Sequence, residues 1–281
     1  MPRTSKLSLH VPELPEVEVT RRGLAPHLAG RVISAVEVRE PRLRWPVSAG
    51  VRLLVGRTVR AVHRRGKYLL VDCGDGHLIV HLGMSGSLRV LPPGTPAEKH
   101  DHFDLVLGDR ILRLRDPRRF GAVLWTSDAL DTHPLLANLG VEPLSRALDP
   151  ARLYALTRKH RAPVKQFLMD GRRIVGVGNI YASESLFRAG IDPRLAANRL
   201  TRAQCVRLAK AIKETLRAAI RAGGSSLRDY VRTDGMRGEA QSRHWVYERE
   251  GHACRRCGAK VKRLVQGARS TYYCPECQRK R

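Results

Sequence analysis

The chain has 281 residues and a mass of 31.5 kDa, with 52 Lys and Arg against 26 Asp and Glu, a formal net charge of +26 and an isoelectric point near 11.0. An apolar fraction of 42% excludes wholesale disorder and supplies a packed core, and the length suits two domains better than one. No apolar run approaches the roughly 18 residues of a membrane helix, and so large a positive excess predicts a polyanionic partner, nucleic acid before any other.

Only 10 of the cations are Lys, as a GC-rich coding bias explains, but that bias does not explain cations outnumbering acids two to one. The first eleven residues carry Arg3 and Lys6 and lack the apolar stretch of roughly 7 residues that a secretory signal needs. A reducing, cytosolic setting is expected, in which paired cysteines hold metal more often than they form disulfides.

Residues 16–28 set Val17, Thr20, Leu24 and Leu28 on one face and predict a helix. Short apolar runs at 32–36, 68–71, 77–82, 105–107 and 111–114 predict strands, punctuated by hairpin signals at Gly74-Asp75-Gly76 and Gly108-Asp109. After Pro143 the apolar spacing becomes helical, with Leu208, Ile212, Leu216 and Ile220 at four-residue steps. Asp149-Pro150 and Thr201 are the expected helix starts, by N-cap chemistry and first-turn proline. Gly223-Gly224-Ser225-Ser226 closes the helical zone, and a short polar tail begins near residue 240. There is no internal repeat.

The tail holds four of the six cysteines, in the spacing Cys254-x2-Cys257-x16-Cys274-x2-Cys277. Two such knuckles around a hairpin-length insert supply four thiolates in a tetrahedron for one Zn²⁺. With no open coordination position, that zinc is structural. Lys260, Lys262, Arg263 and Arg269 make the insert cationic, as a nucleic-acid groove requires.

Pro12-Glu13-Leu14-Pro15-Glu16-Val17-Glu18, followed by Arg21-Arg22-Gly23-Leu24, resembles the N-terminus of the bacterial formamidopyrimidine-DNA glycosylases. Arg42-Leu43-Arg44-Trp45-Pro46, Gly66-Lys67-Tyr68-Leu69-Leu70, His81-Leu82-Gly83-Met84-Ser85-Gly86-Ser87-Leu88, Lys99-His100-Asp101-His102, Asp116-Pro117-Arg118-Arg119-Phe120-Gly121 and Val175-Gly176-Val177-Gly178-Asn179 extend the resemblance over nearly the whole chain. It implies an α+β multidomain fold. An extension over 1–11 precedes a catalytic β-sandwich domain with flanking helices over 12–142. A helix–two-turn–helix DNA-binding domain over 148–238 and a zinc-finger β-hairpin over 244–281 follow, with damaged double-stranded DNA in the cleft of a monomer. The implied setting is the bacterial cytoplasm, at the nucleoid and away from any membrane.

The implied activity is excision of oxidised purines (8-oxoguanine and formamidopyrimidines) followed by strand cleavage. The resemblance makes Pro12 the amine nucleophile, Glu13 the acid that protonates the sugar, Lys67 the proton donor for β-elimination and Arg269 the residue of δ-elimination. Glu16 and Glu18 read as ordinary acids near a helix start. Met84, Arg118 and Phe120 match the side chains that fill the gap left by an extruded base. His100, Arg118, Lys165 and Asn179 match DNA contacts, Asn179 with the backbone N–H groups of a helix start offered to phosphate. Arg228 falls in a match to the loop that closes over the base, though the segment Gly223-Gly224-Ser225-Ser226-Leu227-Arg228 departs from the usual pattern.

One departure bears on the chemistry. Within a chain the Pro12 nitrogen is an amide and cannot attack, so translation is expected to begin at Val11, read from a GTG codon, with removal of the initiator exposing Pro12. A cloning remnant or a proteolysed leader is the alternative. Pro2 is followed by Arg3 and Thr4 and lacks the adjacent glutamate. Two rival functions share this pattern: an endonuclease VIII-like glycosylase for oxidised pyrimidines, and a catalytically silent protein that binds damaged DNA if the leader is retained.

Overall fold

The structure, a computed structural model, describes residues 11–224 and 244–279. Helix α1 (Leu14–Leu28) opens it, two residues earlier than its apolar stripe suggests. Glu13 serves as the N-cap in a reciprocal box with Glu16, and Pro15 lies in the first turn, where its missing N–H costs nothing.

Eight strands follow: β1 (Ala35–Val38), β2 (Ala61–Arg65), β3 (Tyr68–Asp72), β4 (His77–His81), β5 (Ser87–Leu91), β6 (Asp101–Val106), β7 (Ile111–Arg115) and β8 (Ala122–Thr126). They form two antiparallel sheets in the orders β1-β6-β7-β5 and β2-β3-β4-β8. Leu69, Val71, Leu78 and Val80 of one sheet share a core with Phe103, Leu105, Leu112 and Leu114 of the other, which makes the pair a sandwich. On the outer face of the second sheet Leu70 and Ile79 pack under Leu136. The expected strand at 32–36 begins instead at Ala35, Val32 making only an isolated bridge to Thr58.

The helical half comprises α2 (Pro150–Thr157), α3 (Val164–Met169), α4 (Asn179–Ala189) and α5 (Arg202–Arg221). Asp149 caps α2 through the Arg152 amide, and Thr201 and Gln204 box the start of α5. Leu208, Ile212, Leu216 and Ile220 are all buried, as their spacing predicts. Strands β9 (Lys262–Gln266) and β10 (Arg269–Tyr273) form the C-terminal hairpin. The Glu184 carboxylate of α4 accepts the amides of Trp245, Val246 and Tyr247, each at 2.9 Å, and so anchors the segment that leads into the hairpin. Among the described residues no helix is long and apolar enough to cross a membrane.

Candidate active site and DNA-facing surface

The start of α1 and the start of α4 meet head to head. The Glu13 carboxylate, 3% exposed, accepts the amides of Gly178 at 2.7 Å, Ile180 at 2.9 Å and Tyr181 at 3.3 Å. A helix N-terminus is a natural anion site, and here it holds a side chain of its own protein. Two glycines of the Val175-Gly176-Val177-Gly178 run permit the approach. A Cβ on Gly178 would lie 2.3 Å from Glu13 Cδ, and one on Gly176 would lie 2.8 Å from Leu14 Cβ. Leu14 N–H donates to the Gly176 carbonyl at 3.0 Å.

Burial pushes the Glu13 carboxyl above the usual carboxylate range, with the Glu16 charge adding to it and Lys67 and two α4 amides opposing it. Glu16 is fully buried, accepting the Glu13 amide at 2.9 Å and the Tyr181 hydroxyl at 2.6 Å. Glu18 is bound by Arg21, Arg22 and Arg64, whose hydrogen bonds outweigh its burial and hold it at about 2. Neither acid is the ordinary helix-start residue expected from the sequence. The Glu13-x-x-Glu16 spacing of a capping box is the signal that marks the first of them.

Lys67 stands in the two-residue turn between β2 and β3, not in a strand. Gly66, with φ 58°, makes that turn possible. Burial draws its amine below the usual lysine range, Arg269 adds to this, and the charges of Glu13 and Glu16 oppose it. Arg269 arrives from the other end of the chain, as the first residue of β10 after a tight turn in which Gly267 and Ala268 both have positive φ. Pro12, buried at the foot of α1, adjoins Glu13.

One expected DNA contact is corrected, and a second is narrowed. Lys165 is 1% exposed and donates to Asn179 Oδ1 at 2.6 Å, Ser270 O at 2.9 Å and Thr271 Oγ1 at 2.7 Å, so its ammonium joins α3, α4 and the zinc hairpin and is closed to phosphate. Burial lowers it to about 7. Of the amides at the head of α4 expected to face phosphate, those of Gly178, Ile180 and Tyr181 are occupied by Glu13. Asn179 holds Lys165 and gives one Nδ2 proton to the Tyr247 hydroxyl at 3.1 Å.

The other residues expected to face DNA lie on neighbouring loops. Met84, on the β4–β5 loop, is half-buried, and Phe120, on the β7–β8 loop, is 38% exposed. Arg118 lies with its guanidinium carbon 4.7 Å from the Phe120 ring centroid, and its Nη1 is buried without a hydrogen-bond partner. Arg42, Leu43, Arg44, Arg118, Arg119 and Phe120 line a cavity of about 530 Å³. His100 is half-buried, its ring 6.4 Å from that of His102. His81 joins the site from β4. Burial, Lys67 and Arg44 hold its imidazole neutral, at about 4, and its Nδ1 accepts the Gly83 amide at 3.0 Å. Arg228 lies outside the described residues.

Cys254, Cys257, Cys274 and Cys277 bring their sulfurs within 4.8 Å of one another, with 3.5 Å from Cys257 to Cys274 and 4.0 Å from Cys254 to Cys277. Tetrahedral thiolates about 2.3 Å from a zinc ion lie about 3.8 Å apart, so the four fit one structural Zn²⁺. Gln278 locks the knuckle to the end of α4 by donating to Ile191 O at 2.8 Å and accepting the Cys274 amide at 2.9 Å.

A sandwich whose first carboxylate is seated in the head of a helix–two-turn–helix unit, with a zinc hairpin bringing a cation within charge interaction of Lys67, defines a zinc-finger DNA glycosylase. Residues 11–123 match the formamidopyrimidine-DNA glycosylase N-terminal domain, residues 139–231 its H2TH domain, and residues 251–279 the zinc finger found in FPG and IleRS. The formamidopyrimidine-DNA glycosylase of Herminiimonas arsenicoxydans is 55% identical over 273 residues, covering 96% of this chain and all of that one. The MutM (Fpg) protein of Thermus thermophilus superposes with a TM-score of 0.86 at 41% identity, over 95% of this chain and 98% of that one. A Lactococcus lactis Fpg mutant in complex with a Fapy-dG containing DNA gives a TM-score of 0.87 at 34% identity, over 96% of this chain and 100% of that one. The chain belongs to the formamidopyrimidine-DNA glycosylase family.

Proposed function

We propose how the family's reaction runs on this chain, a base-excision-repair glycosylase and abasic-site lyase that acts on oxidised purines in damaged DNA. The observation that carries the reading is that Glu13, buried beside Pro12, lies within charge interaction of Lys67, and Lys67 within that of Arg269, from three distant parts of the sequence. The Pro12 amine attacks C1′ of the damaged nucleotide, and the bond to the base breaks with its electron pair leaving on the base. Glu13, kept protonated at higher pH than an exposed carboxyl, gives its proton to the sugar ring oxygen as the ring opens.

A secondary amine yields an iminium with no N–H to lose. That cation draws electrons from C2′, whose proton departs as the C3′–O bond breaks, and a second elimination then breaks the C5′–O bond. Lys67, whose amine is drawn toward neutrality, donates and accepts protons in the first elimination, and Arg269 supports the second. Met84, Arg118 and Phe120 fill the vacated stack, and His100 and Asn179 face the backbone. With Lys165 closed to DNA, the exposed cations before α3, Lys159 and Arg161, are better placed for phosphate. The proposed setting is the bacterial cytoplasm.

Attack requires a free amine, hence a chain whose first residue is Pro12. Borohydride trapping on 8-oxoguanine duplex, with intact mass measured on the same sample, tests the reading. A covalent adduct is expected on chains beginning at Pro12. Its absence from such chains would leave a binding protein. Equal cleavage of thymine-glycol and 8-oxoguanine duplexes would move the lesion class toward the endonuclease VIII-like reading.

A further inference from the structure

The three gap-filling side chains sit on two separate loops, and a wedge made of two loops works only if they move as one. Asp116, fully buried at the base of the β7–β8 loop, joins them. Its Oδ1 accepts the Ser85 hydroxyl at 2.7 Å, next to Met84 on the other loop. Its Oδ2 accepts the Gly121 amide at 2.8 Å, next to Phe120. Ser85 Oγ in turn accepts the Arg118 amide at 3.2 Å, so a relay of two bonds runs from Arg118 through Ser85 to Asp116.

The main chain of Asp116 extends the junction to the third DNA-facing segment. Its amide donates to the His100 carbonyl at 3.0 Å, and its carbonyl accepts His102 Nε2–H at 2.9 Å and the Arg119 amide at 3.0 Å. Among the described residues Asp116 makes no ion pair, so a buried carboxyl group is held by neutral donors alone, at a desolvation cost that an apolar side chain would avoid. What the carboxylate adds is direction.

Two backbone observations show that the loops are held under constraint. Arg119, between Arg118 and Phe120, has φ 55°, a left-handed conformation that a side chain of its size adopts only when its surroundings over-determine it. Gly83 lies so close to the facing loop that a Cβ there would be 2.4 Å from the Phe120 carbonyl carbon and 2.6 Å from the Gly121 nitrogen. The loops therefore touch backbone to backbone, with Asp116 and Ser85 as the fastening.

We propose that Asp116, acting through Ser85, is a positioning residue that locks the Met84 and Arg118–Phe120 loops into one preformed wedge for base extrusion. The proposal rests on the reading of Met84, Arg118 and Phe120 as the gap-filling set. Preorganisation matters most where a base has to be unstacked, and least where the base is already absent. Asp116→Asn and Ser85→Ala therefore slow 8-oxoguanine excision from duplex, relative to cleavage of a preformed abasic duplex, by about tenfold, the scale of one lost charge-assisted hydrogen bond.

The experiment uses chains beginning at Pro12 and single-turnover rates on both duplexes. Met84→Ala and Phe120→Ala test the underlying reading. If neither slows excision more than abasic cleavage, the gap-filling assignment fails and the clamp fails with it. If they do, Asp116→Asn is expected to share their substrate split and to add less than about twofold on a Phe120→Ala background, because coupled residues are non-additive. Wild-type rates, equal slowing on both duplexes, or a full multiplicative effect on that background would each overturn the clamp while leaving the wedge standing. Should Asp116→Asn fail to fold by circular dichroism, Ser85→Ala, which deletes one hydroxyl, decides on the same readouts.

Discussion

Replacing Gly178 with alanine tests whether catalysis depends on seating Glu13 in the head of α4. The new Cβ would lie 2.3 Å from Glu13 Cδ, 2.5 Å from Oε1 and 2.7 Å from Cγ. Reaching an ordinary carbon–carbon separation of about 3.6 Å requires the carboxyl group to retreat by about 1.3 Å. The amide bonds at 2.7 and 2.9 Å do not survive such a shift. Gly178 has φ −119° and ψ −156°, an extended conformation that alanine adopts freely, so backbone strain does not confuse the result. Two bonds to a charged group are worth about 1.5–3 kcal/mol each, and partial re-pairing leaves an expected stability loss of about 2–4 kcal/mol. A displacement of about 1 Å at a catalytic group costs about a hundredfold in rate. The assay is single-turnover excision on 8-oxoguanine duplex across pH, with thermal unfolding alongside. Amides that favour the carboxylate are lost, so the Glu13 proton affinity rises further and the alkaline limb of the residual activity moves to higher pH. Gly171→Ala, where a Cβ meets open space, is the control and keeps wild-type rate and stability. A Gly178→Ala rate within twofold of wild type would refute the reasoning.

Glu18→Gln is expected to cost about 3 kcal/mol at neutral pH, because the carboxyl is held at about 2 against an ordinary 4.5. That contribution is present above pH 4.5 and is lost as pH falls toward 2, so the wild type loses its advantage over the variant in that window, as measured by urea unfolding. Lys165→Met strands the acceptors of Asn179, Ser270 and Thr271 and is expected to destabilise the fold by about 2–4 kcal/mol. Since burial lowers Lys165 to about 7 against 10.5 in the unfolded chain, its linkage makes wild-type stability rise with pH between those values, and the slope vanishes in Lys165→Met. Removal of zinc by a strong chelator frees the hairpin that carries Arg269. Products then shift from δ- to β-elimination ends on abasic duplex, and readdition of Zn²⁺ restores them.

Much of the architecture was legible because its signals are local. Strand β3, the β3–β4 and β6–β7 turns, the caps at Asp149 and Thr201 and the cysteine spacing depend on near neighbours and appear in the structure where expected. Strands β2 and β5 carry Arg64, Arg65 and Arg89, whose charge breaks the apolar pattern, and were not legible as strands. The candidate site could be named residue by residue from the resemblance, but its geometry could not be read. That Glu13, not phosphate, occupies the head of α4 follows from two glycines and a contact spanning most of the chain. Lys165 looked like any basic residue beside a helix, since nothing local to it announces Ser270 and Thr271. Asp116 was visible only as the first letter of a motif, because its partners lie on another loop.

The same burial tunes the acid and the amine toward each other. Removing a carboxyl group from water raises its proton affinity, while removing an ammonium group lowers its own. Glu13 and Lys67 are both buried within charge interaction of each other and move in these opposite directions, each opposing the other's shift without cancelling it. Glu16 pushes Glu13 further up, and Arg269 pushes Lys67 further down. The arrangement thus narrows the gap between a donor and an acceptor of protons that would be far apart on an exposed surface. The positive excess of the chain has a role beyond attracting a polyanion. A cation delivered by the zinc hairpin adds to the lowering of a lysine in the sandwich, so the folded C-terminal finger contributes to the electrostatics of the N-terminal half.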